Sequence, residues 1–103
     1  MKIQFKINRT QLIVWIAFLI ATWNEEEKQE NIWQRMLFCS LSSLLHKLKL
    51  QSVLMKDKYK FSIDASDALA FVAHAQQCDA SEIHAEDQII INGLIGIIDK
   101  KTR

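Results

Sequence analysis

The chain has 103 residues, 50% of them hydrophobic and 24% charged, and its formal net charge at pH 7 is +1. This composition is typical of one globular domain (1–103), and it excludes an intrinsically disordered chain and a uniformly basic nucleic-acid binder. Proline is absent and glycine occurs twice, which favours long helices with short connections. The two cysteines do not form a disulfide framework and indicate a reduced, cytoplasmic setting.

The first predicted strand covers residues 2–7, where Ile3, Phe5 and Ile7 alternate with polar residues. Asn8 or Thr10 can cap the helix that follows. The core of this helix, residues 12–21, is apolar all round, so we expect it to be covered on every side. The same run superficially resembles a signal sequence or anchor. It is too short to span a bilayer and lacks a cleavage pattern, so a membrane partner is disfavoured.

A second helix is predicted from Asn24, with acidic residues in its first turn and basic residues in its last. Its apolar residues recur at spacings of three and four, as in an amphipathic helix. They are Trp33, Leu37, Leu41, Leu44, Leu45 and Leu48. The segment 51–57 has two interpretations, because Val53-Leu54-Met55 fits either a short extra strand or the end of the helix.

The second predicted strand covers residues 58–63 and is followed by a third helix capped by Asp64 or Ser66. The inward residues are predicted to be Tyr59, Phe61 and Ile63 in the strand and Leu69, Val72 and Ala73 in the helix. A fourth helix is predicted over about 80–99, because Asp79 and Glu82 form a capping-box pattern. The competing interpretation is a hairpin at Ile91-Asn92-Gly93-Leu94.

The second strand and helix echo the first at an offset of 56 residues. Lys2-Ile3-Gln4-Phe5-Lys6-Ile7 corresponds to Lys58-Tyr59-Lys60-Phe61-Ser62-Ile63, and Trp15 corresponds to Phe71. The predicted fold class is α+β, mainly helical, in the order β-α-α-β-α-α, with a two- to three-stranded sheet packed by helices. The echo suggests duplication of a β-α-α unit, with halves 1–50 and 57–103. The alternative is that any strand feeding a capped helix needs these residue types.

Charge is segregated along the chain, with +5 over residues 31–63 and −6 over residues 64–87. If the two strands pair, five lysines form one positive face that can neutralise phosphates. They are Lys2, Lys6, Lys56, Lys58 and Lys60. A nucleic-acid-binding regulator that uses this lysine-rich strand face is therefore the second hypothesis. Exposed lysines also protect an edge strand from aggregation, which is the simpler explanation.

Catalytic and metal-binding patterns are weak. His74, Cys78 and His84 have a spacing that can bind zinc, but no paired-ligand motif accompanies them, so neither a metal site nor a cofactor is predicted. The serines at 40, 42 and 43 lack a base and a glycine-flanked turn. No catalytic residue is predicted, and we expect the chain not to be an enzyme.

The leading hypothesis is a small non-enzymatic module for protein interaction or assembly. The first and fourth helices are apolar on nearly every side, which is more than the core of a 12.0 kDa chain easily covers. Gly93 and Gly96 also permit close approach of another helix. A homo-oligomer or a partner protein is therefore expected, with an interface that includes Ile90, Gly93, Leu94 and Ile97.

Overall fold

A computed structural model of the protein describes residues 1–22, 32–77 and 84–102. Its elements are β1 (Lys2–Asn8), α1 (Arg9–Thr22), α2 (Ile32–Ser52), β2 (Lys58–Asp64), α3 (Ala65–Gln77) and α4 (Ala85–Thr102). The predicted α+β class, the predominance of helix and the element order are confirmed. The predicted starts of the second and fourth helices, at Asn24 and near residue 80, lie outside the described residues.

The sheet consists of β1 and β2, which pair antiparallel with Phe5 opposite Phe61 at the centre. Alternation places the apolar side chains of both strands toward the helices and the lysines toward solvent. The fully buried strand residues are Ile3, Phe5, Ile7, Tyr59 and Ile63. Residues 53–57 form a turn between α2 and β2, so the described chain contains no third strand there.

The start of α1 is fixed by a reciprocal cap. The Gln11 backbone N–H donates to Asn8 Oδ1 at 2.8 Å, and the Asn8 backbone N–H donates to Gln11 Oε1 at 2.9 Å. This is a capping box with Asn in place of Ser or Thr, and it satisfies two backbone donors that the helix leaves unpaired. Of the two caps predicted from the sequence, Asn8 is the one used.

The core lies between the sheet and the four helices, and Trp15 is at its centre. The Trp15 ring lies 5.2 Å from the ring of Phe5 on the sheet and 5.2 Å from the ring of Phe71 on α3. Two helices close the core with the same spacing of buried residues, Leu41, Leu44 and Leu48 on α2 and Ile91, Leu94 and Ile98 on α4. The amphipathic pattern predicted for the second helix is thus confirmed from Leu37 to Leu48, with Leu37 and Leu45 half-buried against the core. The side chain of Trp33, which was also predicted on this face, lies outside the described part of the chain.

The rotation of α3 differs from the prediction at one residue. Leu69 was expected inward, but its side chain is 47% exposed. The buried face instead carries Ala68, Phe71 and Val72. Burying the large aromatic ring of Phe71 against Trp15 sets this rotation, because an aromatic side chain contributes far more apolar area to the core than leucine does at a helix edge.

The fourth helix is continuous through Gly93 and Gly96, so the helix prediction is confirmed and the hairpin interpretation is wrong. A Cβ atom added to either glycine would meet nothing within 4 Å. Neither glycine is therefore required for packing among the described residues. Each lowers the stability of an exposed helix by about 1 kcal/mol relative to alanine.

Three pairs of residues that are 56 positions apart contact each other across the core. The ring centroids of Phe5 and Phe61 are 6.0 Å apart, those of Trp15 and Phe71 are 5.2 Å apart, and those of Phe18 and His74 are 6.1 Å apart. In addition, α1 and α3 each pack against both α2 and α4. The residues of each pair are counterparts in the sense that the 56-residue offset of the sequence relates them.

Candidate interaction surfaces

The lysine face predicted from the sequence is assembled at one end of the sheet. Lys6 lies directly opposite Lys60, and Lys58 lies opposite Asn8. Lys56 is exposed in the turn before β2, whereas Lys2 is at the far end of the sheet, opposite Asp64. Like charges directly across a strand pair are unfavourable, so the Lys6–Lys60 pair is not explained by the stability of the sheet.

Tyr59 cannot contribute an aromatic surface to this face. Its side chain is buried, and its hydroxyl donates to the Leu54 carbonyl oxygen at 2.5 Å. The hydroxyl also accepts from Arg9 Nη1 at 2.6 Å and from the Lys56 backbone N–H at 3.3 Å. This hydroxyl links β2 to the start of α1 and to the preceding turn, so the ring cannot stack on a nucleobase.

The turn after α2 carries three consecutive exposed apolar residues, Val53, Leu54 and Met55, here called the apolar tip. Val53 is 75% exposed and Met55 is 84% exposed. From its sequence this segment was predicted to be a strand or a helix end, and an exposed surface was not predicted. The available signal was its position between two lysine-rich segments, since a run of apolar residues in a turn is unusual without a function.

The backbone of the apolar tip is held by internal hydrogen bonds. The Leu54 backbone N–H donates to the Gln51 carbonyl at 3.0 Å, and the Leu54 carbonyl accepts from the Lys56 backbone N–H at 3.1 Å. The end of α2 is closed by Ser52 Oγ, which donates to the Lys49 carbonyl at 2.7 Å. The side chains of the tip are therefore presented to solvent from an ordered turn.

A second exposed apolar surface is the outer face of α1, formed by Thr10, Ile13, Ala17, Ile20 and Ala21. Ile13 is 48% exposed, and α1 carries no charged residue after Arg9. The expectation that this helix is covered on every side is therefore not met by the described part of the chain. A helix face of this kind is normally buried against another surface.

The predicted interface on α4 is divided between core and surface. Leu94 is fully buried in the core of the chain, and Ile90 and Ile97 are half-buried against it. Gly93 is exposed. Of the four predicted interface residues, Ile90, Gly93 and Ile97 can therefore contribute surface to an interface, and Leu94 cannot.

A cleft of about 190 Å³ lies between α1 and the start of α4. Its lining is mostly apolar and consists of Val14, Ala17, Phe18, Ala21, Thr22, His84 and Asp87. The Thr22 hydroxyl donates its single proton to the Phe18 carbonyl at 2.6 Å, so its oxygen accepts from His74 Nε2 at 2.8 Å. This arrangement holds His74 between two helices and gives it a structural role.

The structure does not place the residues considered for zinc binding in one cluster within the described part of the chain. His74 is bonded to Thr22, His84 is exposed before α4, and Cys78 lies outside the described residues. Within residues 1–22, 32–77 and 84–102, no three His, Cys, Asp or Glu side chains form a group that could hold a metal ion. Cys39 is exposed and is not in a disulfide.

Comparison with known proteins gives no match to a family model, to a curated protein or to a solved structure. Among the helices of the described residues, none combines the length and the apolar character needed to cross a membrane. Function is therefore inferred from the exposed surfaces.

Proposed function

We propose that the protein is a small, non-enzymatic, cytoplasmic interaction module that self-associates through the outer face of α1. The observation that carries this proposal is the row of uncharged side chains on that helix that is exposed in the described part of the chain. Removing exposed apolar surface from water is favourable by roughly 25 cal/mol of free energy per Å² buried. A partner protein is the other surface that would cover the same face.

The second half of the chain supplies an internal comparison for this face. We propose that the halves arose by duplication, which is supported by the three counterpart contacts across the core, one of which is the Phe5–Phe61 pair at the centre of the sheet. The positions on α3 that correspond to the outer face of α1 are Ser66, Leu69, Ala73, Gln76 and Gln77. Ile20 and Ala21 of α1 thus correspond to two glutamines. The scaffold tolerates polar residues there, so the apolar residues of α1 are best explained by a partner.

The proposed seam extends from α1 onto α4. A standard interface buries about 800 Å² per partner, which is more than one face of a short helix supplies. The neighbouring helix α4 packs against α1 and exposes Ile89 and Gly93. The half-buried Ile90 and Ile97 lie beside them. These α4 residues supply additional area, and Gly93 permits close approach of a second backbone.

Replacing both Ile13 and Ile20 with glutamine is expected to weaken self-association at least about tenfold, because two apolar side chains leave the seam and become solvated. Sedimentation velocity over a concentration series measures the association constant. The matched control is Leu69→Gln, because Leu69 occupies the position on α3 that corresponds to Ile13 and has nearly the same exposure, 47% against 48%. This control is expected to associate like the wild-type chain.

A monomeric mass for the wild-type chain at all accessible concentrations would contradict self-association. If the wild-type chain is monomeric and a purified partner binds it but not the double variant, the same face serves a partner protein. Equal weakening by Leu69→Gln would contradict the assignment to α1.

A nucleic-acid-binding regulator is the second candidate, and the observation that favours it is the Lys6–Lys60 pair on an exposed sheet face. Binding of a phosphate backbone would relieve the repulsion between these lysines and would release counterions. We expect such binding to weaken steeply with salt and to be lost when Lys6, Lys58 and Lys60 are changed to glutamate. Electrophoretic mobility shifts of DNA and RNA at two salt concentrations measure this. The buried ring of Tyr59 makes the candidate weaker than the first.

A further inference from the structure

We propose that the apolar tip and the lysines around it form a docking surface for an anionic lipid bilayer. The surface consists of Val53, Leu54 and Met55 at the apex, with Lys49, Lys56 and Lys58 beside them. Asp57 is exposed between Lys56 and Lys58, so the three lysines leave the surface with a net charge of +2. It binds at the membrane surface and does not span the bilayer. It is independent of the outer face of α1.

The apolar part of the surface is built in a way that suits the headgroup region. Leu54 has both of its backbone groups hydrogen-bonded within the chain. Moving a backbone N–H or carbonyl group without a hydrogen-bond partner into a poorly hydrated environment is unfavourable in free energy. A turn whose central residue has both backbone groups hydrogen-bonded can therefore enter the headgroup region more easily than an open loop. Val53 and Met55 flank this residue and are the two most exposed side chains of the tip.

The charged part supplies the second interaction that stable surface binding needs. Lys56 follows the tip directly, Lys58 begins β2, and Lys49 lies in the last turn of α2. A short apolar insertion alone gives weak binding, whereas an apolar group combined with a basic cluster is retained at an anionic surface. The Lys6–Lys60 pair at the same end of the sheet extends the positive surface.

Comparison with the second half shows that the fold does not require an apolar residue at the position of Leu50, near the end of α2. The end of α4 matches the end of α2, because Thr102 Oγ1 donates to the Ile98 carbonyl at 2.8 Å and the Ser52 hydroxyl caps α2 in a similar way. Counted back from these hydroxyl residues, exposed Leu50 on α2 corresponds to exposed Lys100 on α4. Leu50 adds to the apolar area beside the tip.

The chemistry of the tip favours a bilayer over a nucleic acid. Val53, Leu54 and Met55 have no aromatic ring on which a base could stack. A bilayer, in contrast, places an apolar layer directly behind a layer of negative charge. The lysines beside an apolar apex match this order, while a phosphate backbone would leave the apex in water.

The experiment is co-sedimentation of the full-length chain with two kinds of vesicles, pure phosphatidylcholine and phosphatidylcholine with about 30% phosphatidylserine. We expect binding to the anionic vesicles that weakens with salt. Met55→Asp is expected to lower the partition coefficient about tenfold or more, because the apolar insertion is lost. Replacing Lys56 and Lys58 with glutamine is expected to lower it about 25-fold, at about fivefold per lysine.

Two matched controls test whether vesicle binding depends on this surface or on any exposed apolar residue or lysine of the chain. Met36→Asp changes a methionine of α2 that is 60% exposed and lies outside both proposed surfaces, so it matches the Met55→Asp change in residue type. Lys100→Gln removes an exposed lysine at the end of α4. Both variants are expected to bind like the wild-type chain, and circular dichroism checks that every variant is folded.

Absence of binding to anionic vesicles at low salt would overturn the proposal, as would equal binding to neutral vesicles. Unchanged binding of the Met55→Asp variant would also overturn it. Retention on DNA or RNA that depends on Lys56 and Lys58 but not on Met55, without vesicle binding, would assign the lysines to a nucleic acid instead.

Discussion

Replacing Trp15 with alanine is expected to lower the free energy of unfolding by about 3–5 kcal/mol, the range found for large aromatic residues in cores. Trp15 is fully buried and joins the sheet to α3 through its contacts with Phe5 and Phe71. Since small domains are stable by roughly 5–15 kcal/mol, this loss is a large fraction of the total. Urea denaturation monitored by circular dichroism measures the change.

Trp15→Phe is the matched control for this prediction. Within the described residues, Trp15 Nε1 is the buried side-chain atom that lacks a hydrogen-bond partner. Phenylalanine removes this unsatisfied donor, which costs about 1–3 kcal/mol when buried, and thereby offsets part of the lost volume. It is also the residue found at the corresponding position 71. We expect a net change within about 1.5 kcal/mol. A loss as large as that of the alanine variant would contradict this account.

Replacing both Gly93 and Gly96 with alanine is expected to raise the free energy of unfolding of the monomer by up to about 2 kcal/mol. Each alanine favours helix over glycine by about 1 kcal/mol, and neither new Cβ atom meets a neighbour within 4 Å. Thermal and urea denaturation at a concentration where the chain is monomeric measure the gain. The same variant is expected to associate more weakly, because the added methyl groups hold a second helix further away.

The two readouts distinguish the possible roles of the glycines. Higher stability together with weaker association supports their place in the seam between copies. Higher stability with unchanged association removes them from the seam and leaves the outer face of α1 as the interface. A decrease in monomer stability would contradict the open space found around both glycines. Asn92→Ala, on the same helix, serves as a control for the effect of an alanine at an exposed position.

The strands and the helix order were predictable because each depends on local patterns. Apolar residues at every second position identified β1 and β2. Asn8 was one of the two predicted caps of α1, and Gln11, three residues later, completes the capping-box pattern. The orientation of a helix around its own axis was less predictable, as Leu69 shows, because the burial of Phe71 decides it. The rotation of α4 was equally hard to predict: Leu94 was expected at an interface, but it is a fully buried core residue.

The candidate surfaces were only partly predictable. The sequence identified the lysines, but the pairing of Lys6 with Lys60 depends on strand register, which two strands that start 56 residues apart do not reveal. The apolar tip was missed because hydrophobicity alone does not distinguish an exposed valine or methionine from a buried one. The structure shows that Val53 and Met55 are exposed, and that the turn between them is held by the backbone hydrogen bonds of Leu54.

The pairing of β1 with β2 also affects how the chain folds during synthesis. At about 5–20 residues per second, the partner of Phe5 is made roughly 3–11 s after Phe5 itself. During that interval the edge of β1 that pairs with β2 and the side of Trp15 that faces α3 have no partner, although Phe5 and Trp15 can already pack against each other. We therefore expect the newly made first half to expose more apolar surface to chaperones than the complete chain does. This surface is covered when β2 and α3 emerge and the sheet closes.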